Sequence, residues 1–514
     1  MHHSLFRALI NLHFITPLGL IRWAYCLASE GVTLMAALKF SARYHPTECA
    51  VVSERLVMNY SELYQYACRL ARLMYAGYNL RRGDSVAMLC RNHTVSLLLL
   101  PALSRLGVNV LLLNTDLGAE KIEELLQRGS CKLLIYDKDW KEDQVPLSPS
   151  CPAIDTDILY EKLLDKEEDN EFYLPPIFHG PTITVMTGGT SGQFTEATRH
   201  PSVTQFLPPF FALLRDVGIG EYASVFLALP FYHGFGLATL IVSILMGKKI
   251  CLMRHFDANQ ALRIIRNEEV EVLPLVPVML ARMWQQESAK EKMKSLRCII
   301  SGGDHLDRKL AEATRNQLGD VLYNLYGTSE AGFFLLATPE DLSSHTETTL
   351  GKPIRGVKCK VVEKDAEGVG TLWVRSGWAM TGRNNRWQST GDLVVQDDEG
   401  YYFHRGRRDG LVVCGGENAW PDNVMRALSQ HPDVVASQVY AAPHPEFGHV
   451  LNARIELCKD CTLSPEDIRR WLAPRISRAE MPHEIFFGPI ETLSTGKIKS
   501  LSESPDRTGP CTSP

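Results

Sequence analysis

A loop rich in glycine and hydroxyl residues follows an apolar run in the first half of the sequence. Its residues are Thr187, Gly188, Gly189, Thr190, Ser191 and Gly192. The glycines allow backbone N–H groups to converge and the hydroxyls add donors, which is what a phosphate-binding loop requires. It is not a Walker loop, because no Gly-Lys-Ser/Thr follows, and its spacing does not fit a dinucleotide fingerprint. Taken alone, the loop is compatible with a phosphate site or with a plain tight turn.

A second group of candidate residues ends an apolar run. They are Tyr326, Gly327, Thr328, Ser329 and Glu330. An aromatic ring can cover a base, hydroxyls can reach a phosphate, and a carboxylate can hold Mg²⁺. Without further support, the carboxylate would be interpreted as an ordinary solvated loop acid.

Three more groups lie in the last quarter of the chain. Asp392, in the run Ser-Thr-Gly-Asp, can accept hydrogen bonds from both hydroxyls of a ribose. An arginine-rich run with Arg407 and Asp409 follows, and then a pair of glycines. Lys497 stands on a glycine turn near the C-terminus, where a surface lysine is the alternative interpretation. Together these groups could bind a nucleotide.

Short apolar runs alternate with amphipathic stretches between residues 31 and 335, and these must position the candidate residues. The predicted strands are 85–90, 109–113, 132–136, 182–186, 224–229, 249–253, 271–275, 297–300 and 321–325. Predicted helices between them include 61–75, 201–217 and 257–267. This alternation predicts an α/β fold with parallel sheets flanked by helices.

The pattern changes in the C-terminal third. Residues 355–405 have short strands and glycine turns, which predicts a small β-subdomain, and residues 410–503 predict a small α+β unit. Its clearest helix begins at Ser464 with a capping serine, a proline and two acids. We therefore expect an N-terminal segment (1–30), a large domain (31–408), a mobile C-terminal domain (409–504) and a flexible tail (505–514).

The motifs in this order resemble those of the adenylate-forming enzymes, the superfamily of acyl-CoA synthetases, peptide-synthetase adenylation domains and luciferases. The resemblance extends over roughly residues 30–500 and is nearest to bacterial fatty-acyl-CoA synthetases. It implies that the loop 187–192, including Thr190, binds the β- and γ-phosphates of ATP. It also implies that Glu330 binds Mg²⁺ and that Thr328 or Ser329 faces the α-phosphate.

The same resemblance implies roles for the other candidates. Tyr326 would pack on adenine, in a pocket shaped by Gly302, Gly303 and Asn324, while Asp392 and Arg407 would hold the ribose. Lys497 would bridge the substrate carboxylate and the α-phosphate, and Asp409 would be the hinge of the small domain. The remaining implied positions are the CoA arm beside Gly415 and Gly416, and the acyl site beside His233, which could otherwise be a helix-cap histidine.

The phosphate loop departs from the family pattern. The family usually continues with a residue and then Pro-Lys-Gly, but this chain has Gln193, Phe194, Thr195 and Glu196. Thr195 therefore stands where a lysine would neutralise the leaving pyrophosphate. If that loss resembles removal of one oxyanion donor, it costs roughly 10²–10³ in rate. Arg199 or His200 is a candidate source of the missing charge.

Composition limits the other function classes. The 514 residues are 45% hydrophobic and 22% charged, which is typical of globular proteins and excludes a disordered chain. The net charge of -5 argues against nucleic-acid binding through bulk positive charge. Thirteen scattered cysteines indicate reduced thiols and a cytoplasmic protein, and a zinc site at Cys458 and Cys461 lacks a second pair of ligands.

The N-terminal segment is the one stretch with a membrane signature. Residues 8–21 are uncharged but too short to cross a bilayer. Two interpretations stay open: a surface helix docked on its own domain, and an interfacial helix with Phe6, Leu9, Ile10 and Phe14 facing lipid. Peripheral membrane contact through residues 4–25 is thus an expectation, while the oligomeric state is not indicated.

These features predict a ligase that activates a carboxylic acid with Mg·ATP and passes the acyl group to CoA. The segments 231–240 and 327–336 are apolar, which favours an aliphatic or aryl acid over an amino acid. A fatty acid, and hence a role in lipid metabolism, is the first expectation, while the choice between aryl and aliphatic stays open. Two alternatives remain: transfer to an acyl carrier protein, and a degenerate member that binds nucleotide or acyl-adenylate without turnover. The altered loop at Thr195 supports the degenerate alternative.

Overall fold

The computed structural model describes residues 5–54, 56–140, 151–164, 174–177, 180–188, 194–199, 203–414, 416–459 and 461–492. We call residues 5–407 the N-terminal unit and residues 411–492 the C-terminal unit. A 3₁₀ turn, Arg408–Gly410, joins them. The domain limits expected from the sequence stay predictions.

The N-terminal unit contains alternating helices and strands. Its helices are α1 (Leu5–Asn11), α2 (Pro17–Glu30), α3 (Leu34–Tyr44), α4 (Tyr60–Gly77), α5 (Thr94–Leu106), α6 (Ala119–Arg128), α7 (Thr156–Leu164), α8 (Val203–Ala212), α9 (Gly234–Leu245), α10 (Ala258–Asn267), α11 (Pro277–Trp284), α12 (Ala289–Lys292), α13 (Arg308–Leu318) and α14 (Pro339–Ser344). Its first strands are β1 (Cys49–Val52), β2 (Val57–Asn59), β3 (Ser85–Leu89), β4 (Asn109–Leu112), β5 (Cys131–Tyr136), β6 (Ala153–Asp155), β7 (Ile183–Gly188), β8 (Phe194–Arg199), β9 (Ser224–Leu227), β10 (Lys249–Leu252), β11 (Val272–Leu275), β12 (Cys298–Gly302), β13 (Leu322–Thr328), β14 (Gly332–Ala337) and β15 (Lys352–Pro353).

These strands form two large sheets. One has nine strands in the order β15-β14-β13-β12-β11-β9-β10-β1-β2, and the other has six in the order β6-β5-β3-β4-β7-β8. The inner strands run parallel, and β9, β11 and β12 are buried along their whole length. Apolar runs without alternation are what a sheet covered on both faces requires. The carboxyl ends of the parallel strands β12 and β13 carry Gly302 and Tyr326.

The predicted strands are all present, with ends shifted by a few residues. Six of the described strands in these two sheets were not predicted: β1, β2, β6, β8, β14 and β15. The run Phe194–Arg199 is mostly polar, so its hydrophobic pattern carries no strand signal, and its pairing with β7 decides the structure. The predicted α/β class with parallel sheets is confirmed.

A separate antiparallel sheet and a small α+β unit complete the chain. The sheet contains β16 (Lys358–Val362), β17 (Gly370–Arg375), β18 (Gln388–Gln396) and β19 (Tyr402–Arg407). The C-terminal unit contains β20 (Val412–Cys414), β21 (Glu417–Ala419), α15 (Pro421–Ser429), β22 (Val434–His444), β23 (Gly448–Leu457), α16 (Pro465–Leu472) and β24 (Ile485–Phe487). Ser464 caps α16 in a capping box with Asp467, as the sequence predicted.

The N-terminal segment forms two helices rather than one. Among the side chains expected to face lipid, Leu9 and Phe14 instead pack against the protein core, whereas Phe6 and Ile10 are exposed. The reason is tertiary packing, because α1 contacts residues 213–221 and Phe14 lies between the two helices against Phe40 and Phe210. None of the described helices is long and apolar enough to cross a membrane.

One pair of cysteines departs from the expectation of reduced thiols. Cys458 and Cys461 form a disulfide, and the Asp433 carboxylate lies next to both sulfur atoms. The two-residue spacing brings their Cα atoms to 5.5 Å, within the range of a disulfide. Sulfurs joined in this way are not thiolate ligands for zinc.

Candidate active site

The predicted phosphate loop joins the two strands of a hairpin. β7 and β8 are antiparallel, with Thr187 opposite Thr195 and Gly188 opposite Phe194. Thr187 and Gly188 therefore belong to a strand, which corrects their assignment to the loop, because their backbone groups pair with β8. Four loop residues lie outside the described part of the chain: Gly189, Thr190, Ser191 and Gly192.

Gly302 and Gly303 end strand β12 beside the next strand. Gly302 pairs with Leu325 of β13, and a Cβ at Gly302 would lie 2.8 Å from the Leu325 carbonyl oxygen and 3.1 Å from Phe235. Only glycine fits this position without a shift of the backbone. Gly303 has a φ of 81°, a left-handed conformation that favours glycine. The two glycines thus form a tight edge next to the candidate nucleotide residues.

Asn324 and Tyr326 lie on β13, where the strand reaches that edge. The buried Asn324 amide donates to the Thr349 carbonyl at 2.9 Å, so it fixes the strand against the following segment. Tyr326 packs edge-on against Phe334, with ring centroids 5.2 Å apart, and its hydroxyl donates to the Asp392 carboxylate. Burial and the neighbouring carboxylate hold the pKa of Tyr326 well above its usual value.

Asp392 is the centre of a cluster that also contains Tyr326, His404 and Arg407, which we call the Asp392 cluster. It is 7% exposed and lies on β18, opposite Arg407 of β19. Arg407 Nη1 donates to Asp392 Oδ1 at 3.2 Å, and His404 Nε2 lies 3.8 Å from the same oxygen. Burial by itself would raise the pKa of Asp392. Hydrogen bonds from His404 and Tyr326, with the charge of Arg407, outweigh it and lower that pKa. Asp392 is therefore a charged acceptor at neutral pH.

Arg407 connects this cluster to the junction between the units. Its guanidinium makes two hydrogen bonds to Asp409, at 2.9 and 3.0 Å, in addition to those with Asp392 and the Thr390 carbonyl. Hydrogen bonding to Asp409 raises the pKa of Arg407 above its ordinary value. The bidentate contact fixes the guanidinium plane. The predicted ribose pair and hinge residue thus form one continuous network.

The residues predicted to face the phosphates lie at the end of β13 and in the turn that follows it. Gly327 admits no side chain, because a Cβ there would lie 2.4 Å from the Gly332 oxygen. Thr328 Oγ1 accepts a hydrogen bond from the Ala331 N–H at 3.1 Å, which closes the turn. Ser329 is exposed and Glu330 half-buried, and the Glu330 carbonyl accepts from the Met380 N–H at 2.7 Å. An oxygen ligand in an anchored turn fits the preference of Mg²⁺.

His233 lies at the N-terminus of α9, as the cap residue, but its side chain makes no capping hydrogen bond. Its ring lies 4.7 Å from that of Tyr232, whose hydroxyl is hydrogen-bonded to Thr115 at 2.7 Å. Phe235, two residues further on, reaches Gly302. The structure therefore brings the predicted acyl segment to the same edge of the sheet as Gly302.

Of the other predicted positions, the structure describes Gly416, which has a φ of 85° and lies in the turn between β20 and β21. Gly415 and Lys497 lie outside the described residues.

A polar cleft adjacent to this edge was missed by sequence reasoning. It has a volume of about 190 Å³, and its lining includes Asn92, Tyr232 and three arginines: Arg91, Arg254 and Arg282. Arg254 lies 3.5 Å from the fully buried Asp137, which also contacts His93 at 2.7 Å. Arg91 and Arg254 each lie two residues after the end of a strand, β3 and β10 respectively. Their position directly after predicted strands is the sequence signal that could have identified them.

Comparisons with known proteins give a family match and a shared fold. Residues 38–382, about two thirds of the chain, match a family model described as AMP-binding enzyme. A relative from Bacillus licheniformis, named 2-succinylbenzoate–CoA ligase, is 26% identical over 476 residues, covering 88% of this chain and 95% of that protein.

Two solved structures have the same overall architecture. The o-succinylbenzoate CoA synthetase of Bacillus subtilis in complex with its acyl-adenylate intermediate aligns with a TM-score of 0.77 and 25% identity, covering 92% of this chain and 99% of that one. The same protein with ATP and magnesium ion aligns with a TM-score of 0.74 and 25% identity, covering 90% and 98%. The likeness includes the large parallel-sheet domain and the smaller C-terminal domain.

Proposed function

This chain belongs to the AMP-binding enzyme family, and from that premise we propose that it joins a compact, aryl-type carboxylic acid to CoA. It is an AMP-forming acid–thiol ligase that uses ATP, Mg²⁺ and CoA. The carboxylate is activated as an acyl-adenylate and then transferred to the CoA thiol. The family match confirms the resemblance to adenylate-forming enzymes that the motifs indicated.

The observation that supports the nucleotide site is the cluster of Tyr326, Asp392 and Arg407. Residues that are 66 positions apart in the sequence, Tyr326 and Asp392, share a hydrogen bond. A charged carboxylate beside an aromatic ring, with an arginine on its other oxygen, suits a ribose with an adjoining base. We propose that Asp392 and Arg407 hold the ribose and that Tyr326 covers adenine, with Gly302, Gly303 and Asn324 shaping the pocket.

The part of the proposed site that binds the phosphates must neutralise negative charge. A carboxylate that attacks a polyphosphate must approach like charge, so N–H and hydroxyl donors, a cation and a metal ion are required. We propose that residues 187–192 bind the β- and γ-phosphates and that Thr328 or Ser329 faces the α-phosphate. Glu330 would hold Mg²⁺, which neutralises phosphate charge when it is bound.

Lys497, His233 and the segment at Gly415 and Gly416 complete the proposal. Lys497 would bridge the substrate carboxylate and the α-phosphate, since a lysine there opposes both negative charges. His233 would border the acyl group, and the two glycines would let the CoA arm pass close to the backbone. Asp409 would be the point about which the C-terminal unit turns between the two steps.

The substrate proposal replaces the expectation of a fatty acid. The relatives reported above are named for 2-succinylbenzoate, an aromatic acid, and not for a fatty acid. Phe235 supports a compact substrate, because its ring already lies against Gly302 at the edge where the acyl group would sit. We therefore infer an aryl acid, and lipid metabolism is no longer part of the proposal.

The test is pyrophosphate release from Mg·ATP with a panel of aryl, fatty and amino acids, with and without CoA. We expect release with aryl acids only, together with a CoA thioester found by mass spectrometry. Release with a fatty acid alone would refute the substrate class. Thioester formation that needs an acyl carrier protein, or ATP binding without any release, would refute the CoA ligase in favour of one of the two alternatives.

A further inference from the structure

The first two helices expose an unusual amount of apolar surface. The exposed large apolar side chains between residues 5 and 28, with their exposed fractions, are Phe6 (67%), Ile10 (38%), Ile15 (37%), Leu18 (55%), Leu20 (55%), Ile21 (66%), Tyr25 (50%) and Leu27 (38%). We call this set the N-terminal apolar surface. Exposed leucines scattered singly are ordinary, but eight exposed large apolar side chains within one short segment are a density typical of an interaction site.

The inner side of the same helices is firmly attached to the protein. Trp23 stacks on Phe40 of α3, with ring centroids 4.1 Å apart, and Phe14 contacts both rings. The buried Glu30 at the end of α2 accepts hydrogen bonds from Lys39 at 2.6 Å and from Arg105 at 2.7 Å. The helices are thus held by one side, and the apolar side chains on the other side are not needed for this attachment.

Up to residue 29 the two helices themselves carry charges of a single sign, although α1 also packs beside residues 213–221, which include Asp216 and Glu221. Residues 5–29 contain Arg7 and Arg22 and no acidic residue. Arg22 lies over the ring of Tyr44 at 4.3 Å, and Arg43 lies over the ring of Tyr25 at 4.2 Å. Apolar side chains bordered by arginines and tyrosines are typical of a segment that lies at the boundary between lipid tails and anionic headgroups.

We propose that the N-terminal apolar surface binds the surface of an anionic lipid bilayer. The 14 residues of α2 extend about 21 Å, less than the roughly 30 Å of a hydrocarbon core, so the helices lie along the membrane rather than across it. Leu18, Ile21 and Tyr25 enter the lipid boundary, while the arginines contact headgroup phosphates. This docking is independent of the proposed reaction.

A second copy of the chain is the other occupant to consider. In a symmetric dimer formed through α2, each copy presents the same helix, so Arg22 would meet a partner helix whose residues 17–29 include no acid. That arrangement brings like charges together without compensation. An anionic membrane supplies the opposite charge, which is why the lipid is favoured.

The experiment is sedimentation of the full-length protein with vesicles of phosphatidylcholine, with or without about one third phosphatidylglycerol. The test variant is Leu18→Glu/Ile21→Glu. The matched control, Phe447→Glu/Phe486→Glu, introduces the same two charges at side chains of the C-terminal unit that are 47% and 45% exposed. We expect wild type and control to bind anionic vesicles and the test variant to bind at least tenfold more weakly.

The single variant Arg22→Gln separates charge from apolar contact. It should weaken binding to the anionic vesicles about fivefold, with less effect on neutral ones. Failure of the wild type to sediment with anionic vesicles, or equal binding by the test variant, would overturn the proposal. So would a dimer in sedimentation equilibrium that the test variant converts to monomer. Circular dichroism establishes that each variant is folded.

Discussion

Two groups of polar contacts in this protein differ in what they connect. The Asp392 cluster joins Tyr326 of β13 to Arg407 of β19, and all of its members lie in the N-terminal unit or at the junction. Arg282 of α11 instead reaches into the C-terminal unit. Its guanidinium donates to the Ile490 carbonyl at 2.8 Å, to Thr492 at 3.1 Å and to Glu456 at 3.2 Å.

The difference bears on which contacts can survive a rotation of the C-terminal unit about residues 408–410. The Asp392 cluster is retained, because the rotation does not separate β13, β18 and β19. The Arg282 contacts are lost, because they join the two units. Thr492 is five residues before Lys497, a reach of about 17 Å at most for an extended chain. We therefore propose that Arg282 positions the segment that leads to Lys497, whereas Asp392 belongs to the proposed nucleotide site.

The largest expected effect comes from Asp392→Asn, which removes the charge but keeps the shape. We expect pyrophosphate release to fall about 10²–10³-fold, because a charged acceptor in a buried site is lost. The control is Asp365→Asn, in an exposed turn of the same small sheet. An equal loss in both variants would show that the effect is not specific to the cluster.

Arg282→Ala should have the next largest effect, and a selective one. Acyl-adenylate formation should fall about 10–100-fold, since misplacement by about 1 Å can have consequences of that size. Thioester formation from added acyl-adenylate should change less than twofold. The comparison variant is Arg297→Ala, whose ion pair with Glu271 lies within the N-terminal unit. Equal losses in both half-reactions would remove the distinction between the two groups of contacts.

Thr195→Lys tests whether the proposed binding site for the β- and γ-phosphates lacks a positive charge. Neither the Asp392 cluster nor the Arg282 contacts supply one there. Thr195 is paired with Thr187 in the hairpin, so a lysine there would follow the phosphate loop directly. We expect pyrophosphate release to rise about tenfold. Thr198→Lys, on the same strand, provides a control for added charge. A rate that is unchanged or slower in Thr195→Lys would mean that the missing lysine does not limit catalysis.

The smallest expected effect is on how the free energy of unfolding depends on pH. Because the pKa of Asp392 is lowered in the folded state, its stabilising contacts are fully present above the unfolded value of about 3.9. They are lost as the pH falls through the folded pKa. Wild type should therefore exceed Asp392→Asn in unfolding free energy by about 1.5–3 kcal/mol above pH 5, and the difference should shrink towards pH 3. Denaturant titrations at several pH values measure it, and a difference that grows on acidification would contradict the assignment.

Much of the scaffold was predictable because its signals are local. A fully buried parallel strand needs an unbroken apolar run, and β9, β11 and β12 each have one. The helix at Ser464 was predictable from its cap and first turn. Strand β8 was not, since a polar edge strand has no hydrophobic pattern and depends on its partner.

The sequence by itself determined the strand and helix order, the family and the chemistry of the candidate residues, since these depend on residue types at short spacing. The tertiary structure alone decided that Leu9 and Phe14 turn inward, and that Arg282 meets Glu456, 174 residues further along the chain. Contacts at such separations arise when packed elements meet, and no local spacing encodes them.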